Sequence, residues 1–137
     1  MKAIINKRIL SAFLLFLVLV VSASVPVYAI SDVGGTTVSY PNEGYVGGPP
    51  GAIYWTQRSD AKAAQLFIGS YDGTFSWNSG PIYTNAGLSN AWYSIPASVQ
   101  ASIPKGKSLL VGVETYHYSG NTYLGWASDT NTLLVVN

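Results

Sequence analysis

The chain contains no cysteine and a single histidine, His117, and only 9% of its 137 residues are charged. Without thiols it can form neither disulfides nor the thiolate sites that hold structural zinc. One imidazole is too few for the usual zinc and copper ligand sets, and no Asp-x-Asp spacing of the kind used for calcium occurs. We therefore expect neither a metal ion nor another cofactor.

Acid–base catalysis has equally few residues to use. A Ser-His-Asp site would need His117, and no Gly-x-Ser-x-Gly turn is present to expose a nucleophilic serine. A glycosidase needs two carboxylates about 5–9 Å apart, but Glu114 is the only acid in the middle of a clear strand pattern. Three other acids fall at predicted turns, where aspartate is common for backbone reasons: Asp60, Asp72 and Asp129. We expect a protein without enzymatic activity and a histidine with a structural role.

The first 29 residues have the layout of a secretory signal. Residues 1–8 carry three basic side chains, residues 9–21 are almost wholly apolar, and residues 22–29 are small or polar and end in a cleavage-compatible Val27-Tyr28-Ala29. About 13 apolar residues are too few to cross a bilayer core of roughly 30 Å comfortably. The sequence predicts a signal-peptide helix, cleavage near Ala29 and a secreted product. An uncleaved N-terminal anchor is the alternative.

Cleavage changes the charge of the protein. Residues 30–137 contain four basic and six acidic side chains, a net charge of −2, whereas the whole chain carries +1. Because no Lys/Arg cluster remains, nucleic acid is not expected as a partner, and membrane contact is expected only through the signal segment. The remaining 108 residues are enough for one ordinary domain.

Short β patterns separated by turn residues fill this domain, with helical signals only at residues 60–64 and 98–102. The Gly/Pro-rich residues 44–51 predict an unpaired loop, which divides an N-terminal segment (30–51) from the main domain (52–137). Trp55 and Trp77 are assigned to the core. The sequence thus predicts an all-β, antiparallel sandwich of seven to eight strands. Predicted strands cover residues 36–40, 52–57, 64–71, 74–77, 92–95, 108–118, 122–127 and 132–136, and residues 82–84 are expected at most to pair briefly.

The order of these patterns resembles the fibronectin type III and related immunoglobulin-like domains. Trp55 is similar to the tryptophan of their second strand, residues 64–69 to the third strand and residues 93–96 to the fifth. Residues 105–115, with a glycine turn and alternating valines, resemble the sixth strand, and residues 133–136 the last. The chain departs from the family in the sixth strand, where Leu109 or Leu110 replaces the tyrosine of the corner hydrogen bond. The resemblance covers residues 50–137 and implies a fold but no particular activity.

Aromatic side chains provide the candidate binding site. In the strand predicted at residues 108–118, Glu114, Tyr116 and Tyr118 alternate with an apolar face and therefore point the other way. Across the hairpin loop at residues 119–121, Tyr123 or Trp126 is expected to stand opposite them. Rings that stack on sugars, beside polar groups that bond hydroxyls, are what a carbohydrate surface needs. A purely structural role as sheet cover is the alternative for each ring.

These observations favour a secreted recognition module that binds a polysaccharide or cell-envelope polymer through exposed Tyr and Trp. Two other functions stay open. The domain could instead dock a cell-surface protein through an aromatic patch or an unprotected edge strand. A toxin-like or antimicrobial protein that acts on membranes is the third, against which the lack of a basic patch counts.

Overall fold

The computed structural model describes residues 32–137, so the predicted signal peptide and its cleavage site lie outside the described residues. Eight strands and one short helix follow in chain order. They are β1 (Thr37–Tyr40), β2 (Tyr45–Gly47), β3 (Ala52–Thr56), β4 (Ala61–Ser70), β5 (Ser76–Asn78), β6 (Asn90–Ser94), α1 (Ala97–Ser102), β7 (Ser108–Ser119) and β8 (Thr122–Val135). The expectations of an all-β protein, of about eight strands and of a short helical turn at residues 98–102 are confirmed.

The strands form two sheets. One has three strands in the order β1-β3-β6, and the other has five in the order β2-β8-β7-β4-β5. Neighbouring strands are antiparallel except β2 and β8, which run parallel. Among residues 32–137, no helix is long and apolar enough to span a membrane.

Alternating apolar residues build a single core from both sheets. Leu109, Val111 and Val113 of β7 point inward and are fully buried, as their period of two predicts. The small sheet contributes Ile53 and the almost fully buried Trp55 to the same cluster. Each such side chain stabilises the fold by about 1.5–3 kcal/mol when it leaves water. The core expected from the sequence is therefore present.

The assignment of Trp77 to the core is only partly correct. This residue is only partly buried and packs against the margin of the core. Its ring centroid lies 6.3 Å from that of Tyr93. The short edge strand β5 leaves one side of this indole without a neighbouring strand, which explains the incomplete burial.

The predicted helical turn at residues 60–64 is wrong, because these residues begin the long strand β4. Ala61 and Ala64 are buried and Lys62 is exposed, with a bulge between Ala61 and Ala63. Pairing with β7 gives these residues their backbone hydrogen bonds. Five residues are too few to form a stable helix on their own.

The C-terminal residues form one strand of 14 residues rather than two strands around a turn. Asp129, predicted in that turn, pairs with Val113 of β7 instead. Its carboxylate accepts the backbone N–H of Val38 at 2.7 Å. The side-chain amide of Asn131 donates to the carbonyls of Val38 and Pro41 at 3.1 and 2.9 Å. These turn-forming residue types thus serve to tie β1 to β8.

Residues 44–51 were expected to remain unpaired, and this is also wrong. Tyr45–Gly47 forms β2, which runs parallel to the end of β8. The carboxylate of Glu43 accepts the backbone N–H of Thr132 at 2.8 Å and fixes the entry to this strand. The residues before the main domain are therefore hydrogen-bonded to both sheets, and Val38 of β1 belongs to the core.

Candidate ligand-binding site

The five residues predicted from the sequence share the outer face of the large sheet. Because β7 alternates, Glu114, Tyr116 and Tyr118 lie opposite to the side that carries Val113 and remain half-buried. The antiparallel pairing of β7 with β8 then sets their neighbours. Trp126 lies directly across from Tyr116, and Tyr123 across from Tyr118.

A bulge in β8 explains why Tyr123 and Trp126 both lie on the outer face. Without it, simple alternation would place only one of them there. Tyr123 and Trp126 are three residues apart, so they would normally point to opposite faces of the sheet. The register shifts between His117 and Tyr118, which leaves Leu124 without a partner and returns Trp126 to the outer face. Gly125 completes the bulge with a φ of 140°, a backbone conformation that suits glycine.

Direct contacts order these side chains. The ring centroids of Tyr118 and Tyr123 lie 5.2 Å apart with a tilt of 54°. The Tyr116 hydroxyl donates to the Glu114 carboxylate at 2.5 Å. Burial and this hydrogen bond raise the pKa of Tyr116 well above its ordinary value. Partial burial, followed by the charges of Tyr118 and Glu114, likewise raises the pKa of Tyr123. Both phenols therefore stay neutral at physiological pH, as ring stacking requires.

A cleft of about 500 Å³ opens along one side of this face. It is lined by Tyr116 and Tyr118 of β7, by residues of β4 and the β7–β8 hairpin, and by the segment that follows β5. The volume falls within the range of sites for small ligands. The lining residues are Lys62, Ala63, Gln65, Pro81, Tyr83, Tyr116, Tyr118, Gly120 and Asn121.

The sequence prediction located only part of this cleft. Tyr116 and Tyr118 line it, whereas Glu114, Tyr123 and Trp126 stand beside it, and their roles in ligand binding stay predictions.

Seven lining residues were missed, and four of them have side chains that can form hydrogen bonds: Lys62, Gln65, Tyr83 and Asn121. Lys62 was hidden by the mistaken helical turn, and Asn121 was taken as a turn residue only. Gln65 precedes the inward Leu66, so the alternation of β4 already placed it on the outer face. Tyr83 arrives through the backbone bridge between Ala64 and Ile82, a long-range contact for which the sequence gives no signal.

His117 lies on the inner side of the same strand, within a buried chain of hydrogen bonds. Its Nδ1 is 2.7 Å from Oδ1 of Asp60, and its Nε2 is 2.8 Å from Oγ1 of Thr115. The Thr115 hydroxyl is in turn 2.6 Å from that of Thr36. We call Asp60, His117, Thr115 and Thr36 the polar chain. The ring of His117 is fully buried with both nitrogens bonded, which agrees with the structural role expected for it.

Asp60, predicted as a turn residue, is thereby an acidic partner of His117. Burial alone would raise the pKa of this carboxyl, but the hydrogen bond from His117 and the Arg58 guanidinium at 2.6 Å together hold it below its ordinary value. The order acid–imidazole–hydroxyl is that of a nucleophilic relay. The Thr115 hydroxyl is fully buried, whereas the Asp60 side chain is 26% exposed.

A second aromatic surface crosses the outer face of the small sheet. Tyr40, Tyr54 and Trp92 occupy directly paired positions on β1, β3 and β6. Tyr54 is 48% exposed and Trp92 is 51% exposed, more than any ring of the predicted site. We call these three residues the aromatic row. It was not predicted, because the sequence does not show that the two short strands next to β3 place their rings side by side.

Within residues 32–137, no group of three or more His, Asp or Glu side chains is placed to hold a metal ion. Comparison with known proteins adds no relative: no family model matches the chain, and neither a curated protein nor a solved structure is significantly similar to it.

Proposed function

We propose that this protein is a secreted, non-catalytic module that binds an oligosaccharide or polysaccharide in the cleft above Tyr116 and Tyr118. The observation that carries the proposal is the cleft itself. Three tyrosines line it, Tyr83, Tyr116 and Tyr118, together with the amide-bearing residues Gln65 and Asn121. Aromatic faces stack on the apolar faces of pyranose rings, while amides donate to and accept from hydroxyls.

We further propose that the two sheets pack face to face as an immunoglobulin-like sandwich. The strand order supports this, because β1-β3-β6 and β8-β7-β4-β5 correspond to the A-B-E and G-F-C-C′ sheets of that fold. The single core that contains side chains from both sheets is a further support. In such a sandwich the outer faces of the sheets are available for ligands.

Ring geometry favours a sugar over a flat aromatic ligand. The Tyr118 and Tyr123 rings are tilted by 54°, and Tyr116 is fixed at one edge by its bond to Glu114. Such an angled surface presents several separate ring faces, which suits successive units of a chain better than one planar molecule.

The test is Tyr118→Ala, compared with a matched substitution of an exposed tyrosine away from the cleft, Tyr71→Ala. Loss of a stacking ring is expected to weaken oligosaccharide binding by roughly tenfold, since aromatic contacts contribute about 0.5–1.5 kcal/mol beyond area burial. Binding is followed by NMR titration with a panel of plant, bacterial and fungal oligosaccharides. Tyr71→Ala should bind like the parent. If no oligosaccharide shifts resonances of the cleft residues, or if Tyr118→Ala binds as the parent does, the proposal is wrong.

A second candidate function is protein docking, favoured by the exposure of the aromatic row. Strand addition at the free edge of β6 is disfavoured, because the side-chain amide of Asn85 already donates to the carbonyl of Trp92 at 2.5 Å. Docking would use the ring faces of Tyr54 and Trp92 instead. The occupant that can be tested directly is a second copy of the chain. Sedimentation over a hundredfold concentration range should then show dimers that Trp92→Ser abolishes, and a concentration-independent monomer excludes this mode.

A further inference from the structure

The charge around the cleft is uneven. Among its nine lining residues, Lys62 is the one cation and none is a carboxylate. Glu114 lies on the same face of the sheet but does not line the cleft, and the Tyr116 hydroxyl already donates to its carboxylate. A cation at the wall with no facing acid is unexpected in a domain whose net charge is −2.

Two of the four cations of the domain form ion pairs; Lys62 and Lys105 do not, and of these two only Lys62 lines the cleft. Arg58 pairs with Asp60 at 2.6 Å, and Lys107 pairs with Asp72 at 2.7 Å. Lys62 takes part in none of the three ion pairs found among residues 32–137. Its ammonium therefore has no fixed protein counterion there and is available to an anion bound in the cleft.

The position of Lys62 is set by the fold. The bulge between Ala61 and Ala63 changes the register of β4 against β7 at this point, and Ala63 returns to the position across from Tyr116. A side chain that would otherwise follow the strict alternation of β4 is thus turned to the rim of the cleft. Lys62 is exposed and lines the cleft, and its ammonium is carried on a flexible four-carbon stem.

We propose that the cleft selects acidic sugars, with the ligand carboxylate paired to Lys62 while a pyranose face stacks on Tyr118. This inference rests on the proposed function and names its ligand class: a glycan with uronate or similar carboxylate-bearing units. The amides of Gln65 and Asn121 are left for hydroxyls, because neither carries a charge. A solvent-exposed ion pair of this kind contributes modestly, so we expect a two- to fivefold preference for the charged ligand.

The experiment uses matched probes that differ only in charge: tetragalacturonate and its methyl ester, and a hyaluronan tetrasaccharide and its methyl ester. Affinities are measured by NMR titration at about 50 and 500 mM NaCl. The parent protein should bind each acid two- to fivefold more tightly than its ester. The preference should shrink at high salt, because a Debye length of only a few ångström screens exposed charges.

The Lys62→Gln variant should bind each acid only as tightly as its ester, and its affinity for the ester should equal that of the parent protein. Lys105→Gln, which removes an exposed lysine that does not line the cleft, is the matched control and should keep the preference. Esters that bind as well as the acids, or a Lys62→Gln variant that keeps the preference, would overturn the acidic-sugar inference and leave carbohydrate binding intact. If neither member of either pair binds while neutral oligosaccharides of the panel do, acid selection is likewise wrong. The proposed function itself fails when no sugar binds, or when Tyr118→Ala binds sugars as the parent does.

Discussion

Replacement of Thr115 by valine tests whether the polar chain stabilises the fold. Valine has the same shape as threonine but no hydroxyl, so the change removes hydrogen bonds without creating a large cavity. The Thr115 hydroxyl is the only described partner of His117 Nε2, at 2.8 Å, and it also contacts the Thr36 hydroxyl at 2.6 Å. Both partners are buried, and the His117 ring has no access to water.

The magnitude follows from these orphaned groups. A buried donor or acceptor left without a partner costs about 1–3 kcal/mol, and Thr36 retains slight exposure that lowers its share. We expect Thr115→Val to reduce the free energy of unfolding by about 2–3 kcal/mol. That is a large part of the roughly 5–15 kcal/mol that stabilises a typical domain. With a slope of about 1–3 kcal/mol per molar urea, the unfolding midpoint should fall by about 1–2 M.

Two variants make the measurement interpretable. Thr130→Val alters an exposed threonine on β8 and should change stability by less than about 0.5 kcal/mol. Thr115→Ser keeps the hydroxyl and should recover most of the loss. If Thr115→Val is as stable as Thr130→Val, or if the serine variant is no more stable than the valine variant, the hydrogen bonds of the polar chain do not stabilise the protein as we argue.

Two further predictions concern stability. Gly112→Ala should destabilise the protein by about 1–3 kcal/mol, because a Cβ added at Gly112 would lie only 2.0 Å from the ring of Phe67. Urea unfolding measures this loss of stability. An unchanged unfolding midpoint would show that the ring moves aside freely. The pKa of Asp60 is lower in the folded protein than in the unfolded chain, so its ionised carboxylate stabilises the fold above a pH of about 4. This stabilisation is lost as the pH falls through the pKa of the folded state. Asp60→Asn should therefore be clearly less stable than the parent at pH 7, and the gap should narrow by pH 3. A gap that is the same at both pH values contradicts the assigned interaction with His117.

The fold was accessible from the sequence where one face of a strand is uniformly apolar. Leu109, Val111 and Val113 fix the face of β7, and this alone placed Tyr116 and Tyr118 on the outer side. Local patterns failed where pairing with a distant strand decides the structure. The alanines around Lys62 favour a helix in isolation, yet pairing with β7 makes them part of strand β4.

The candidate site could likewise be predicted only where local patterns determine it. Cross-strand neighbours followed from the hairpin, but the bulge at Leu124 depends on a backbone geometry that periodicity does not encode. The partnership of Asp60 with His117 joins residues 57 positions apart. Because a single sequence contains no record of which distant residues meet, the polar chain and the wall formed by Tyr83 could only be found in three dimensions.

Strand β7 has one further consequence. Thr115 and His117 alternate with Tyr116 and Tyr118, so the buried hydroxyl and imidazole and the rings of the proposed binding site lie on opposite sides of one strand. Outer positions can exchange one ring for another at little risk to folding, whereas the inner hydroxyl and imidazole admit almost no replacement. Laboratory selection on the two tyrosine positions should therefore yield folded variants far more often than selection on Thr115 and His117, and the proposed ligand preference should be open to change through single substitutions.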